Sequence, residues 1–342
     1  MMKLGAAVIG CGAISKMHLE AILKIDSATL LYAVDTDENR ARKAASKYGC
    51  SFHTDYTEVL KDPDVNIVHL CTPHYLHAPM AIKAMENGKH VLTEKPMAIS
   101  TDEAIKMTAV SRKTGQKLGV CFQNRYNPTS VKIKEILNSG KAGRITGARA
   151  FVTWHRDDAY YTDSGWRGTW EKEGGGVLIN QAIHTLDLLQ WFLGDIESIR
   201  GNCSKSLLEK IIEVEDTADA VIRFKNGTSA IFYATNCHAE NSQVFLELVC
   251  SKAVIRLEGD LTIKYCNGEL EHFNDTNLET GEKSYWGASH NLLIKDFYRC
   301  VLSGEPFSIE GEEGIKALQM VKTIYTSSKS CQWVDQLQLP FK

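Results

Sequence analysis

The chain predicts an α/β protein in two parts: an N-terminal Rossmann-type doubly wound parallel sheet, and a C-terminal α/β domain on a large, mainly antiparallel open sheet. Three observations lead there. Over the first third, short apolar runs alternate with amphipathic stretches, as successive β-α-β units do. A glycine turn, Gly10-Cys11-Gly12, follows the first apolar run directly. Past residue 122 the alternation gives way to successive strand-like runs joined by short turns.

In chain order, 3–9 predicts a strand, 15–25 a helix, 29–34 a strand and 38–48 a helix rich in Ala, Arg and Lys. A helical turn at 57–61 precedes a buried strand at 67–71. Residues 76–87 predict a helix closed by Gly88, and 90–93 a strand. A helix at 101–114 stops at Gly115, and 117–121 is the last strand of this part. Then come a helix at 130–138, a strand at 144–152 and one strong amphipathic helix over 178–192. Strands follow at 197–203, 217–223, 229–235, 244–250, 253–258 and 261–265, with Lys225-Asn226-Gly227 as one of the turns. Helices at 290–302 and 311–328 close the chain. The expected domains are 1–122 and 123–342.

Composition narrows the function classes. A length of 342 residues suits two domains. A formal charge of -3 makes no electrostatic case for nucleic acid or an anionic membrane as partner. No apolar run approaches the roughly 20 residues that span a bilayer. The apolar start from Leu4 to Ile14 is broken by three glycines and reads as a strand entering a loop, not a signal peptide. The ten cysteines form no C-x-x-C pair, which predicts reduced thiols and a cytoplasmic protein. His74 and His77 are the closest histidine pair and read as a loop feature, so no metal site is expected.

The residues Gly10-Cys11-Gly12-Ala13-Ile14-Ser15 form G-x-G-x-x-S between a strand and a helix. Gly10 permits a tight turn, and Gly12 lets backbone approach a pyrophosphate. The next helix aims its N–H groups and dipole at that anion. Asp35 ends the second strand, where a carboxylate accepts from adenine-ribose hydroxyls and repels a 2′-phosphate. Arg40 is also within reach of the ribose. The pattern favours NAD over NADP.

The 90–93 strand runs into Glu94-Lys95-Pro96, and an earlier strand into Cys71-Thr72-Pro73-His74-Tyr75-Leu76-His77. Downstream lies Gly175-Gly176-Val177-Leu178-Ile179-Asn180-Gln181-Ala182-Ile183-His184-Thr185-Leu186-Asp187. With these motifs the chain resembles the Gfo/Idh/MocA family of oxidoreductases, over almost its whole length. The resemblance implies an NAD-binding first domain and a substrate-binding, oligomerising second one. It implies hydride exchange at a hydroxyl- or keto-bearing carbon of a sugar, polyol or sugar derivative. Lys95 matches the family lysine that touches the nicotinamide ribose and the reacting hydroxyl. A cation there lowers the cost of alkoxide character. Thr72, Pro73, His77 and Glu94 match positions around the nicotinamide half, and Pro96 matches a position that follows a cis peptide in many relatives. His184 matches the acid/base histidine, and an ordinary pKa of about 6.5 suits proton exchange near neutrality. Asn180, four residues earlier, is expected on the same helix face. Many polyol dehydrogenases of the family carry Asp there. Asn hydrogen-bonds a hydroxyl but is no base, so the proton falls to His184, helped by Lys95. Asp187 reads as structural.

Gln123-Asn124-Arg125-Tyr126-Asn127-Pro128 matches a cleft-lining segment, which makes Arg125 and Asn127 substrate candidates. The long loop ahead of the glycine run carries His155, Tyr160, Trp166 and Arg167, residue types that stack on sugars and bind hydroxyls. Two alternatives share these residues: a glycosidase of this fold that uses NAD transiently, and a non-catalytic dinucleotide-binding regulator. The resemblance also implies a homodimer or homotetramer through the outer face of the second sheet.

Overall fold

The computed structural model describes residues 3–274 and 289–336. The chain divides into two compact units, 1–123 with 289–315 and 124–288 with 316–342.

The first unit alternates β1 (Leu4–Ile9), α1 (Ser15–Leu23), β2 (Ala28–Val34), α2 (Glu38–Tyr48), β3 (Ser51–His53), α3 (Tyr56–Lys61), β4 (Val65–Leu70), α4 (His74–Glu86), β5 (His90–Thr93), α5 (Thr101–Thr114) and β6 (Leu118–Val120). The strands are all parallel, in the order β3-β2-β1-β4-β5-β6. This is the doubly wound order, and its direction reverses between β1 and β4, where ligands bind at the carboxyl ends of strands. Ala6, Ala7, Val8, Ile67, Val68 and Leu92 are fully buried in the sheet, which explains the uninterrupted apolar runs. Helix α2 starts where Asp37 accepts from the N–H groups of Asn39 and Arg40, and ends at left-handed Gly49. Ser100 and Gly115 bound α5 in the same way. Edge strand β3 is too short to show a period, and the sequence reading passes over it.

The second unit holds α6 (Pro128–Asn138), β7 (Ile145–Thr153), α7 (Asp158–Thr162), α8 (Val177–Asn180), α9 (Ile183–Leu193), β8 (Ile196–Ser204), β9 (Thr217–Phe224), β10 (Ser229–Thr235), β11 (Phe245–Cys250), β12 (Ala253–Glu258), β13 (Asp260–Tyr265) and β14 (Leu270–Phe273). Helices α10 (His290–Ser303) and α11 (Gly311–Ser330) and strand β15 (Val334–Asp335) follow. The sheet runs β14-β13-β12-β11-β7-β10-β9-β8-β15, antiparallel at every pair except β7 with β10. Alternate residues of β9 and β10 are buried, and the other face exposes Val221, Ile231 and Tyr233.

Besides the unread short elements β3, α7, β14 and β15, two larger features differ from the expected elements. Helix α10 belongs with the first unit, where Tyr298 bonds His69 of β4 at 2.9 Å. The single helix expected over 178–192 is two helices. Ala182 N–H donates to Val177 O and Thr185 N–H to Ala182 O, which interrupts the regular ladder after Asn180. Asn180 and His184 therefore do not share the face of one continuous helix.

Candidate active site

In the first unit, Gly10 lies at φ +93, and a Cβ there would sit 2.5 Å from Cys71 O. The glycine thus serves both the turn and the close approach of the β1 and β4 ends. A Cβ on Gly12 would meet nothing within 4 Å. The N-terminus of α1 has no side-chain cap and no acidic residue in its first turn. An open backbone face beside an uncapped helix start fits the pyrophosphate of a dinucleotide. Ser15, the departure from the glycine pattern, is buried and ties the loop by donating to Gly12 O at 2.7 Å. Asp35 clamps the same loop: Oδ2 accepts from Cys11 N–H at 2.8 Å and Oδ1 from Asp37 N–H at 2.9 Å. Burial and the charge of Asp35 push the Cys11 thiol up to about 12, so it stays protonated. Arg40 leans on Asp37 at 3.4 Å and is largely exposed.

The β4 and β5 ends are joined by His77. Its Nε2 lies 2.8 Å from Thr72 O and its Nδ1 2.7 Å from Pro96 O. Burial pushes its pKa down, while the two carbonyls, which only accept, favour the protonated ring. The ring braces the two loops, so both its nitrogens are engaged with protein. Pro73 is the N-cap residue of α4, and the buried Thr72 Oγ1 has no hydrogen-bond partner among the described residues. The Lys95–Pro96 peptide is cis.

Glu94 turns into the protein. Oε1 accepts from His18 Nε2 at 3.0 Å and His290 Nε2 at 3.2 Å, and Oε2 from Lys95 N–H at 3.2 Å. Burial pushes its pKa up, but the hydrogen bonds from His18 and His290 outweigh this and hold the carboxyl well below its usual range. Burial pushes His18 and His69 the other way, towards neutral rings. With neutral rings and an ionised Glu94, one proton arrangement satisfies the chain. Tyr298 O–H donates to His69 Nε2 at 2.9 Å, His69 Nδ1–H to His18 Nδ1 at 2.8 Å, and His18 Nε2–H to Glu94. His18, Glu94 and His290 also offer ligand-type atoms within 4.8 Å of one another. A metal there would take the His18 lone pair and reverse the proton chain; the hydrogen bonds account for the cluster as it stands. From Val91 to Ala98 every residue is buried except Lys95.

In the second unit the equivalent exception is His184. Every residue from Glu173 to Gln190 is buried but this one, in the first turn of α9. Helix α9 is held by Asp187, whose carboxylate takes two bonds from buried Arg125, Nε at 2.7 Å and Nη2 at 2.6 Å. Arg125 is thus neither a surface charge nor turned outward; it anchors the histidine's helix. The buried Asn127 Oδ1 has no hydrogen-bond partner among the described residues.

The loop before the glycine run folds around Tyr160. Its hydroxyl accepts from Asn180 Nδ2 at 3.2 Å and Gln181 Nε2 at 3.0 Å. The guanidinium of Arg167 stacks 4.5 Å from the Tyr160 ring and 4.6 Å from that of Trp166. Arg156 lies 5.2 Å over the same tyrosine. His155 is exposed; its Nδ1 lies 3.0 Å from His238 O and its carbonyl accepts from Arg156. Asn180 also donates at 2.6 Å to buried Glu173. Burial pushes Glu173 up to about 7 against the hydrogen bonds it accepts from Gly168 and Asn180. Sequence reasoning missed Glu173, His18, His69 and His290. The only local signals were His18 following the glycine loop by one helical turn and Glu173 directly preceding the glycine run.

Among the described residues no helix is long and apolar enough to cross a membrane. Comparison with known proteins gives a consistent result. Residues 4–122 match the model of the oxidoreductase family with an NAD-binding Rossmann fold, GFO_IDH_MocA, and residues 130–256 match the GFO/IDH/MocA C-terminal domain. The chain is 27% identical to myo-inositol 2-dehydrogenase of Thermotoga maritima, over 97% of this chain and 96% of that one. It is 30% identical to the WlbA dehydrogenase of Chromobacterium violaceum, solved with NADH and UDP-GlcNAcA, with a TM-score of 0.84 covering 100% of this chain and 97% of that one. Levoglucosan dehydrogenase, solved with NADH and levoglucosan, shares the fold at a TM-score of 0.90 and 22% identity, covering 98% of this chain and 100% of that one.

Proposed function

Because the chain belongs to the GFO/IDH/MocA family of NAD-binding oxidoreductases, we propose that it interconverts a hydroxyl- and a keto-bearing carbon of a sugar, polyol or sugar derivative. One observation carries the reading: Lys95 and His184 are each the single half-exposed side chain in an otherwise buried run. Each run contains the motif on which the family resemblance rests. The loop glycines and the bare start of α1 would hold the pyrophosphate, with Asp35 at the adenine ribose favouring NAD. When bound, the dinucleotide supplies hydride exchange. Lys95 orients the reacting hydroxyl and steadies negative charge on its oxygen. His184 takes or returns the hydroxyl proton. Tyr160, Arg167, Trp166 and Asn180 serve substrate recognition; the relatives' inositol, anhydrosugar and nucleotide-sugar names support a polyhydroxylated substrate class. A second copy of the chain covers the face that exposes Val221, Ile231 and Tyr233.

The test is Lys95→Ala, assayed by NADH absorbance across a panel of inositols, sugars and sugar nucleotides. Turnover should fall by about 100-fold or more while NADH binding, read by fluorescence, persists. Wild-type turnover in the variant would defeat the assignment. Bond cleavage without net NADH would favour the glycosidase alternative instead.

A further inference from the structure

The arginines of the second unit's site are not used alike. Arg125 is tied to Asp187 by two bonds. Arg156 donates through Nη1 to His155 O at 2.5 Å and to Asn241 Oδ1 at 2.8 Å. By contrast, the Arg167 side chain donates to no acceptor and joins no ion pair among the described residues, although its Nε is buried. Glu173 feels the Arg167 charge but takes no hydrogen bond from it. What holds Arg167 is stacking: its guanidinium carbon lies 4.5 Å from the centre of the Tyr160 ring and 4.6 Å from that of Trp166. Contact with two rings fixes the plane of the fork and leaves its edge N–H groups unbonded. Tyr160 joins that fork to the motif. Its hydroxyl accepts from Asn180 Nδ2 and Gln181 Nε2, which stand four and three residues ahead of His184.

We propose that the substrate is a sugar or polyol acid and that Arg167 receives its carboxylate. The proposal rests on the dehydrogenase reading and narrows its substrate class. A planar, permanently charged fork held in one orientation pairs with a carboxylate through two parallel N–H bonds. A hydroxyl offers one uncharged oxygen, so a neutral sugar gains much less from the same fork. Arg156, 5.2 Å from the same tyrosine ring, adds positive field there. A phosphate monoester is the other oxyanion that suits a guanidinium, but it carries about -1.5 to -2 charges near neutrality. Glu173 shares the field of Arg167, so one added negative charge is tolerated better than nearly two. The fork thus fits the single charge of a carboxylate.

The experiment uses the full chain with NADH bound and three matched pairs of probes. They are D-glucuronate with D-glucose, D-galacturonate with D-galactose, and D-mannuronate with D-mannose. D-glucose 6-phosphate is the phosphate arm. Calorimetry should show at least one acid binding about tenfold or more tightly than its neutral partner, and Arg167→Met should bring that ratio down to about one. Equal binding within every pair overturns the proposal. So does a preference for the acid that survives Arg167→Met, or a tighter hold on glucose 6-phosphate than on every acid. A second measurement needs the variant only for assignment. In ¹⁵N-arginine-labelled wild type, the Nε–H signal lost in Arg167→Met should move when the preferred acid is added and stay in place with its neutral partner. A signal that ignores the acid, or follows both sugars equally, overturns the proposal. Acid binding at Arg167 without hydride exchange counts against the dehydrogenase reading and leaves the carboxylate site supported. NADH formed from NAD with neutral sugars alone supports that reading and overturns the carboxylate site.

Discussion

Glu94 of the first unit and Glu173 of the second are both almost fully buried, and each adjoins a motif residue proposed to act. Their protonation is pushed in opposite directions. The difference lies in what surrounds each. Glu94 has two imidazole N–H groups and a backbone N–H. Glu173 accepts from the Gly168 N–H and the Asn180 amide and is helped by the Arg167 charge, but burial and the charge of Glu215 outweigh them. Burial alone therefore does not set the state of a carboxyl; the hydrogen bonds and charges around it decide. A fixed charge suits the Glu94-Lys95 turn, whose backbone must stay still.

The largest effect expected from this contrast is at Glu94. Glu94→Ala leaves the buried N–H groups of His18 and His290 without their acceptor. The cost should be about 2–6 kcal/mol, about 1–3 kcal/mol for each of the two buried donors left unpaired. Urea unfolding followed by circular dichroism checks it. A loss below about 1 kcal/mol would mean that the histidine chain re-pairs without the carboxylate and that the comparison is wrong on the Glu94 side.

Next in size is an opposite response to pH. Glu173 is raised from 4.5 to about 7, so the folded chain keeps a proton that the unfolded chain has released over that window. Its contribution to stability is full below pH 4.5 and is lost as pH rises through about 7. His18 and His69 are lowered from 6.5, so the folded chain binds fewer protons than the unfolded one, and stability falls as pH drops below 6.5. The Glu94 contribution is present above 4.5 and is lost as pH falls through its lower folded value. Glu173→Gln should remove only the alkaline loss. Its Tm, relative to wild type, should rise between pH 5 and pH 8 by a few degrees, or about 1–3 kcal/mol. A difference that stays constant with pH would remove the basis for contrasting the two carboxyls.

The two glutamates also differ in how far they could be read in advance. Helices α2 and α5 were legible to the residue because their stops are local: Asp37 and Gly49, Ser100 and Gly115. Lys95 and His184 stand out in the sequence because each lies in a motif. Glu94 was visible as part of one, but its inward turn was not, since its partners lie at His18, His69, His290 and Tyr298, far apart in the chain. Glu173 was hidden in Glu171-Lys172-Glu173, which looks like a solvated charge run. The break after Asn180 was hidden because Ile179, Ala182, Ile183 and Leu186 carry the apolar pattern straight across it. What the sequence could not show was pairing at long range; what it did show was set by neighbours.

A third carboxyl, Asp35, sharpens the contrast with the smallest effect. It is half-exposed, and its two oxygens are divided between Cys11 N–H and Asp37 N–H. Solvent screens it, so replacing it strands no buried charge. Its work is local: it holds the glycine loop and, on the reading above, meets the ribose. Asp35→Asn keeps one acceptor oxygen and removes the negative charge. If the ribose role is real, NADP should gain on NAD by about fivefold, since the repulsion of a 2′-phosphate is gone, with stability changed by less than about 1 kcal/mol. Arg40 does not already neutralise that position, because it leans on Asp37. If Asp35 only clamps the loop, both dinucleotides should weaken together and their ratio should stay fixed. Fluorescence titration with NADH and NADPH separates the two outcomes.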